Sequence, residues 1–281
     1  MQKIGLVTCE KHPNGIPAEI NLPNEFKEKG INAEFVVWSD ASIDWKSYDN
    51  LIIRSTWDYY TREAEFRAWL KKIIELGVPL FNPPVVIFDN MHKFYLREFA
   101  NAGIKIIPTI FSDEKDVIEK IEAKLWNKIV IKPAVSAGSY LTEVFEFRPE
   151  NHLSILNKIK TGDWLIQPFL NEIEEGEISM IFFNKKFSHS IIKKPAEGDF
   201  RIQRQFGGLY QAYFPNEELL KIAANIVNHV TEPLLYARVD GLVINNEFHL
   251  MELEMIEPDL YFEFSEEYLN RYIEAYLEIL K

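Results

Sequence analysis

The chain of 281 residues is long enough to bury a large core and to form more than one domain. Its 31 basic and 43 acidic residues give a formal net charge of −12, which argues against a nucleic-acid or membrane-surface protein. The single cysteine, Cys9, excludes an intrachain disulfide framework and a thiolate metal cluster. No apolar run reaches signal-peptide or transmembrane length, so we expect a soluble cytoplasmic protein.

The first third of the chain alternates short apolar runs with helical patterns, which indicates an α/β fold with a mainly parallel sheet. The apolar, β-rich runs predict strands over residues 3–9, 33–38 and 51–53. Because ligands bind beyond the carboxyl ends of parallel strands, the loop 54–60 is a candidate substrate loop. In it, Arg54 either grips a substrate carboxylate or fixes the loop through an ion pair with Asp58.

The two prolines Pro83 and Pro84 mark a boundary, after which the pattern restarts. We predict helices over 91–102 and 113–124 and strands over 106–109, 128–133 and 140–146. The small-residue loop between the last two strands can lay backbone N–H groups over phosphates, with Lys132 supplying positive charge. An ordinary hairpin turn is the alternative. The sequence contains neither a GxxxxGK[ST] nor a GxGxxG phosphate motif.

The second half begins with strands that end near a proline and continues into an irregular, charged segment. The strands are predicted over 164–170, 177–183 and 187–193. Residues 194–208 are rich in glycine and charge, which favours a mobile lid. Helices follow over 217–230 and 266–280.

Residues 238–254 read as two strands around an Asn-Asn-Glu break, which predicts a hairpin. With a three-residue loop, Ile244 pairs with Phe248 and Asp240 lies opposite Glu252. Arg238 then lies opposite Glu254, and all four charged residues share one face with Leu242, Ile244, Phe248 and Leu250. A two-residue loop would place Asp240 and Glu252 on opposite faces.

Three carboxylates on one face repel one another unless a cation lies between them. Mg²⁺ is bound by hard oxygen ligands of this kind, so the hairpin is a candidate metal site. The alternative is an exposed edge with a ladder of salt bridges.

The order of these segments from Lys93 to Glu254 resembles the ATP-grasp superfamily, in particular glutathione synthetase, the ribosomal-protein glutamate ligases and O-ureidoserine cyclo-ligase. The resemblance implies an α/β fold of the ATP-grasp type. A Rossmann-like pre-ATP-grasp domain (1–88) would precede two α+β subdomains (89–166 and 167–281) that sandwich the nucleotide.

The resemblance implies ATP-binding roles for two lysines, a flap, a hinge and an acid. Lys93 and Lys132 match phosphate-binding lysines, and Glu177 matches the acid that binds the ribose hydroxyls. The flap over the phosphates would be Ser136, Ala137, Gly138 and Ser139, and the hinge facing the adenine would be Gln167, Pro168, Phe169 and Leu170.

The resemblance also implies a metal cage and two catalytic arginines. Arg238, Asp240 and Glu252 match an R-x-D … E-x-N pattern, in which Glu254 here replaces asparagine as the third ligand of Mg²⁺ or Mn²⁺. Arg201 and Arg238 would stabilise the transferred phosphoryl group. The substrate candidates are Arg54, Thr56, Asp58 and Lys194.

We therefore expect an ATP- and Mg²⁺-dependent carboxylate–amine ligase that works through an acylphosphate on an amino acid or small peptide-like substrate. The alternatives are a small-molecule kinase on the same scaffold and a nucleotide-binding module without catalysis. The expected partners are a carboxylate and an amine, with no nucleic acid and no membrane. The resemblance also allows a homo-oligomer.

Overall fold

The computed structural model describes residues 2–199 and 201–281, and its first sheet is parallel. Its strand order is β2-β1-β3-β4. The strands are β1 (Lys3–Thr8), β2 (Asn32–Val37), β3 (Asn50–Ser55) and β4 (Leu80–Phe81). The helices of this region are α1 (Leu22–Glu28), α2 (Glu63–Leu76) and α3 (Pro84–Asn90). The prediction of a parallel α/β region is confirmed.

The second sheet is antiparallel, with the order β5-β8-β6-β7. Its strands are β5 (Ile110–Phe111), β6 (Lys128–Pro133), β7 (Glu143–Glu146) and β8 (Trp164–Pro168). Its helices are α4 (Leu96–Asn101), α5 (Val117–Ala123) and α6 (Pro149–Ile159). The predicted boundary between residues 166 and 167 would cut through β8. We therefore propose that the two subdomains meet after residue 168.

Three predicted elements of this region begin later than expected, each for a local reason. Strand β7 begins at Glu143 because Ser139 and Leu141 have φ angles of 62° and 52°, which no strand accommodates. Helix α5 begins after Asp116, whose φ is 55°. The helix predicted from residue 91 begins only at Leu96, after a 3₁₀ turn over Lys93–Tyr95.

The strand predicted over 106–109 was wrong. Ile106 forms only an isolated bridge with Leu250, and the Ile107 amide donates to the Leu250 carbonyl at 2.9 Å. Thr109 lies just before β5 and receives a hydrogen bond from Gln167.

The third sheet is also antiparallel, with the order β11-β10-β9-β12-β13. Its strands are β9 (Glu177–Phe183), β10 (Lys186–Lys194), β11 (Leu209–Ala212), β12 (Tyr236–Ile244) and β13 (Glu247–Glu254). The helices are α7 (Glu217–His229) and α8 (Glu266–Ile279). None of the helices in the described part of the chain is both long and apolar enough to cross a membrane.

The β12–β13 hairpin reaches the predicted pairing by a different route. The turn has two residues, Asn245 and Asn246, with φ angles of 51° and 63°, so Ile244 pairs with Glu247 and not with Phe248. A bulge on β13 at Met251 then restores the register. Asp240 consequently lies opposite Glu252, and Arg238 opposite Glu254.

The prediction that Phe248 and Leu250 share the carboxylate face with Leu242 and Ile244 was wrong. Phe248 and Leu250 pair with Val243 and Gly241, and they belong to the hydrophobic core together with Val239. The bulge therefore separates an apolar face from a charged face on one hairpin.

The first and third sheets are joined by a common core. Aromatic side chains of α8 pack on the N-terminal region, and Tyr276 lies 5.2 Å from the Phe26 ring, centroid to centroid. The buried Asn82 side chain donates to the carbonyls of Tyr236 (2.9 Å) and Met255 (2.8 Å). These contacts fix the N-terminal sheet against the strands that carry the candidate site.

Candidate active site

A cavity of about 480 Å³ lies where the three sheets meet. It is lined by every residue that the sequence predicted for ATP, metal and catalysis: Lys93, Lys132, Ser136–Ser139, Gln167–Leu170, Glu177, Arg201, Arg238, Asp240, Glu252 and Glu254. The four predicted substrate residues do not line it. These contacts place the residues, whereas their individual roles remain proposals.

The hinge forms one wall of the cavity at the end of β8. Gln167 is buried, and its Nε2 donates to the Thr109 hydroxyl at 2.9 Å. Beyond Pro168, the Phe169 amide donates to the Lys128 carbonyl at 2.9 Å, and the Lys128 ammonium lies 3.9 Å from the Phe169 ring centroid. The hinge therefore has its side chains fixed before any ligand arrives.

Lys93 joins the small-residue loop to the carboxylates. Its amide donates to the Ala134 carbonyl (2.8 Å), which explains why α4 begins later than predicted. Its Nζ donates to the Ser136 carbonyl (2.5 Å) and forms an ion pair with Glu252 at 2.9 Å. The loop and the metal-cage candidates thus share one buried cation.

Lys132 differs from Lys93 and Lys193, which pair with carboxylates in the cavity. It projects from β6 and lines the cavity, yet within residues 2–199 and 201–281 its ammonium has neither an ion pair nor a hydrogen bond. Burial lowers its pKa. An unpaired, desolvated cation favours the binding of an anionic ligand.

Arg238 holds two of the three carboxylates. Its Nε and Nη2 donate to Asp240 at 3.0 and 2.9 Å, its Nη2 also donates to Glu254, and its Nη1 donates to the Asp259 carbonyl at 3.0 Å. The Ser179 hydroxyl completes the environment of Asp240. Burial raises the pKa of Asp240, but Arg238 and Lys193 outweigh it, and the net pKa is lowered.

The carboxylates fit Mg²⁺ in their chemistry but do not converge in this structure. Asp240, Glu252 and Glu254 supply the oxygen donors that Mg²⁺ and Mn²⁺ take. Among residues 2–199 and 201–281, however, no three acidic, histidine or cysteine side chains lie close enough together to hold an ion. Lys93 and Arg238 occupy the positions next to these carboxylates instead.

The protein disfavours the ionised form of Glu254. This side chain is partly exposed (28%), yet burial, Glu252 and Asp240 together raise its pKa to about 8. A bound divalent cation would favour its ionised form, because opposite charge lowers a carboxyl pKa. The donor set is therefore consistent with a cation that arrives with the nucleotide.

Lys193 pairs with Glu177 beside the metal-cage candidates. Its Nζ lies 2.5 Å from Glu177 and 3.6 Å from Asp240. Although burial opposes it, these two carboxylates raise the pKa of Lys193 well above its ordinary value. The sequence pointed to Lys194 instead, but that side chain is exposed at the end of β10 and outside the cavity lining. Because side chains alternate along a strand, Lys193 faces the cavity and the predicted substrate residue Lys194 faces solvent.

Arg201 reaches the cavity from the segment predicted as a lid. It pairs with Asp199 at 2.7 Å, and its guanidinium lies 3.7 Å from the Phe206 ring centroid. A Cβ on Gly208 would lie 1.8 Å from the Ile202 carbonyl oxygen, so only glycine allows the segment to fold back here. Phe200, within the predicted lid, lies outside the described residues, and the lid's mobility stays a prediction.

The N-terminal loop corrects the predicted substrate residues. Arg54 is fully buried and pairs with Glu19, not with Asp58, and it also donates to the Pro258 carbonyl (3.0 Å). Thr56 is buried as well. Asp58 instead accepts a hydrogen bond from Trp38 Nε1 at 2.8 Å. The partner of Arg54 lies 35 residues away in sequence, where no local pattern could indicate it.

The side chains of this loop that line the cavity are aromatic ones that were not predicted for the substrate, namely Trp57, Tyr59 and Tyr60. The Trp57 indole donates to the Glu257 carbonyl at 2.9 Å, and the His12 ring contacts Trp57 edge-on at 5.3 Å. The sequence analysis missed this group together with Glu257. One signal in the sequence could have indicated Glu257: it follows the two β13 glutamates Glu252 and Glu254 by only three residues.

Comparison with known protein families divides the chain at the same place as its two prolines. Residues 4–82 match the family described as D-cycloserine synthetase DcsG, N-terminal domain. Residues 92–266 match the family described as prokaryotic glutathione synthetase, ATP-grasp domain. The second match spans more than half of the chain and includes the cavity-lining lysines Lys93 and Lys132 and the carboxylates of the β12–β13 hairpin.

Whole-chain relatives agree with these matches. The chain is 26% identical to cycloserine biosynthesis protein DcsG of Streptomyces lavendulae over 303 aligned residues, covering 99% of this chain and 100% of that protein. It is 25% identical to glutathione synthetase of Rhodopseudomonas palustris over 230 residues, covering 80% of this chain and 70% of that protein.

Solved structures share the fold. The crystal structure of D-cycloserine synthetase DcsG aligns with a TM-score of 0.85 at 25% identity, covering 99% of this chain and 100% of that one. D-alanine–D-alanine ligase of Bacillus anthracis aligns at 0.71 and 17% identity over 99% and 98% of the two chains, which shows the fold alone. The predicted ATP-grasp fold is thus confirmed, and the chain belongs to the prokaryotic glutathione synthetase ATP-grasp family and is an ATP-dependent ligase.

Proposed function

We propose that this ligase joins a small-molecule carboxylate to an amine through an acylphosphate, with an amino acid or small peptide-like molecule as substrate. The observation that carries the proposal is the unpaired Lys132 in a cavity whose other buried cations are held by carboxylates. A triphosphate supplies the anion that Lys132 lacks. The hinge Gln167–Leu170 would face the adenine, and Glu177 the ribose.

The chemistry needs charge neutralisation and positioning more than acid–base groups. A substrate carboxylate oxygen attacks the γ-phosphorus of ATP, and the bond to the β,γ-bridging oxygen breaks to release ADP. The amine then attacks the acyl carbon, phosphate leaves with the acyl oxygen, and the nitrogen gives up a proton.

The described residues supply the electrostatic part of this scheme. Lys93 and Lys132 would bind phosphates, and Arg201 would reach the transferred group from the lid segment. Arg238, which already donates to Asp240, Glu254 and the Asp259 carbonyl, would act mainly by holding the carboxylates in place. Mg²⁺ or Mn²⁺, when bound by Asp240, Glu252 and Glu254, would neutralise phosphate charge.

Release of ADP in the presence of Mg²⁺-ATP tests the proposal, with amino acids and short carboxylates supplied singly and in pairs. We expect ADP release to require one carboxylate and one amine. Asp240→Asn should abolish turnover, and it should also lower the unfolding midpoint because Asp240 is buried against Arg238 and Lys193. Release with one substrate that retains the phosphate would identify a kinase and overturn the proposed ligation.

A further inference from the structure

Most of the charged side chains that line the cavity are in ion pairs. Of those in the described ranges that are not, Lys11 is exposed and Asp259 is half-buried, while the other two, Lys132 and Glu257, have opposite signs. Lys93 pairs with Glu252, Lys193 with Glu177, and Arg238 with Asp240 and Glu254. The triphosphate is the proposed partner of the cation Lys132, which leaves the carboxylate of Glu257.

Glu257 is buried, with 8% of its surface exposed, and lines the same cavity. Within the described ranges, its carboxylate forms no ion pair within 4.0 Å and accepts no hydrogen bond. Burial and the charges of Glu254 and Glu252 raise the pKa of Glu257 well above its ordinary value, although Lys93 and Arg238 oppose them, so a bound cation is needed to favour its ionised form. A buried carboxylate without a partner is costly unless a ligand supplies one.

The surroundings of Glu257 favour an organic ammonium over a metal ion. The Trp57 indole nitrogen donates to the main-chain carbonyl of Glu257 at 2.9 Å, so this aromatic residue and Glu257 are neighbours in the cavity lining. Tyr59 lines the same part of the cavity. Carboxylate and aromatic groups together bind alkylammonium ions through charge and cation–π attraction. The divalent cation already has candidate ligands in Asp240, Glu252 and Glu254, whereas Glu257 has aromatic neighbours that suit an ammonium ion.

We propose that Glu257, with Trp57 beside it, binds the primary ammonium group of the substrate and so selects amino acids over their deaminated counterparts. This inference rests on the proposed ligase function. The fixed position of Glu257, three residues after the last metal-cage candidate, would place the ammonium end of the substrate near the phosphoryl-transfer site. Glu257 would thereby align the substrate carboxylate for attack.

Equilibrium binding tests the inference without requiring turnover. Alanine and serine are each compared with the matching hydroxy acid, lactate and glycerate, by calorimetry in the presence of Mg²⁺ and a non-hydrolysable ATP analogue. Wild type should bind the amino acids at least about tenfold more tightly, because a buried charge pair contributes a factor of this size. Glu257→Gln, which keeps the shape but removes the charge, should reduce the preference to less than about threefold.

Two controls separate the ammonium site from other effects. Glu122→Gln changes an exposed glutamate on α5 and should keep the wild-type preference. Glu257→Gln is also measured with the ATP analogue alone, so that a change in nucleotide affinity is separated from a change in the preference for amino acids over hydroxy acids.

The outcomes distinguish this inference from the proposed function. Equal affinities of wild type for amino and hydroxy acids would overturn the proposed ammonium site. An unchanged preference for amino acids in Glu257→Gln would overturn it as well. A preserved preference in wild type without ADP release from any pair would leave the ammonium site intact and count against the ligase reaction.

Discussion

Asp240 lies directly opposite Glu252 across the β12–β13 hairpin, although the turn between the strands contains only two residues. The register that such a turn imposes would put these carboxylates on opposite faces. Met251, as the extra residue of a bulge on β13, reverses that effect. The hairpin can therefore bury Phe248 and Leu250 in the core while it directs its carboxylates into the cavity.

The bulge depends on Gly241, because a Cβ at this position would lie 2.4 Å from both the His249 carbonyl oxygen and the Phe248 ring. Gly241→Ala should lower the free energy of unfolding by about 1–3 kcal/mol, as measured in urea. Gly162→Ala is the control, since its Cβ would meet its nearest atom only at 3.9 Å. Equal midpoints for the two variants would contradict the close packing described for the bulge.

Lys132→Met should weaken ATP binding without weakening the fold. The ammonium of Lys132 has no partner in the part of the chain that the structure describes, so its removal should leave the unfolding midpoint unchanged or slightly higher. We expect the Kd for Mg²⁺-ATP to rise about 10- to 100-fold, in line with the loss of a charge-assisted contact. A variant that binds ATP like wild type would exclude Lys132 from the phosphate site.

Substitution by methionine should lower the stability of the protein at Lys193 but not at its neighbour Lys194. Lys193→Met leaves Glu177 buried without its cation and removes one of the two cations beside Asp240, so it should cost about 3–5 kcal/mol of stability. Lys194→Met alters an exposed side chain and should stay within about 0.5 kcal/mol of wild type. Comparable losses of stability or activity in both variants would contradict the assignment of Lys193 to the cavity.

His189 should make the protein acid-sensitive. Its ring is buried, donates a hydrogen bond from Nε2 to the Leu260 carbonyl at 2.9 Å, and stacks on Tyr268 at 3.7 Å between ring centroids. Burial lowers its pKa from 6.5 to about 4. The unfolded chain therefore binds the proton more tightly, and stability falls as the pH drops from above 6.5 toward 4.

The size of this effect follows from the shift in the pKa of His189. Between pH 7.5 and pH 5 the histidine should account for a loss of about 2 kcal/mol, because one pKa unit corresponds to about 1.4 kcal/mol. Urea unfolding at both pH values should show this loss in wild type and in His229→Gln, which alters an exposed histidine. This loss should be absent in His189→Gln. If the stability of His189→Gln depends on pH in the same way as that of wild type, His189 is not the cause of the acid sensitivity.

The sequence predicted the fold and the members of the cavity better than it predicted individual contacts. The pairing of Asp240 with Glu252 was confirmed, but the turn and the bulge behind it were missed because no sequence pattern marks a compensating bulge. The sequence named Lys194 as a substrate candidate, whereas strand alternation turns the neighbouring Lys193 into the cavity. Local spacing also could not reveal that Arg54 is buried against Glu19, since that ion pair depends on tertiary packing.

The most direct test of the proposed acylphosphate is to follow a carboxylate oxygen. A substrate identified by ADP release is labelled with ¹⁸O in its carboxylate and converted in unlabelled water, and the released phosphate is analysed by mass spectrometry. The account predicts one ¹⁸O atom per phosphate, because the attacking carboxylate oxygen leaves with phosphorus when the amine displaces it. Phosphate free of ¹⁸O would contradict the acylphosphate route.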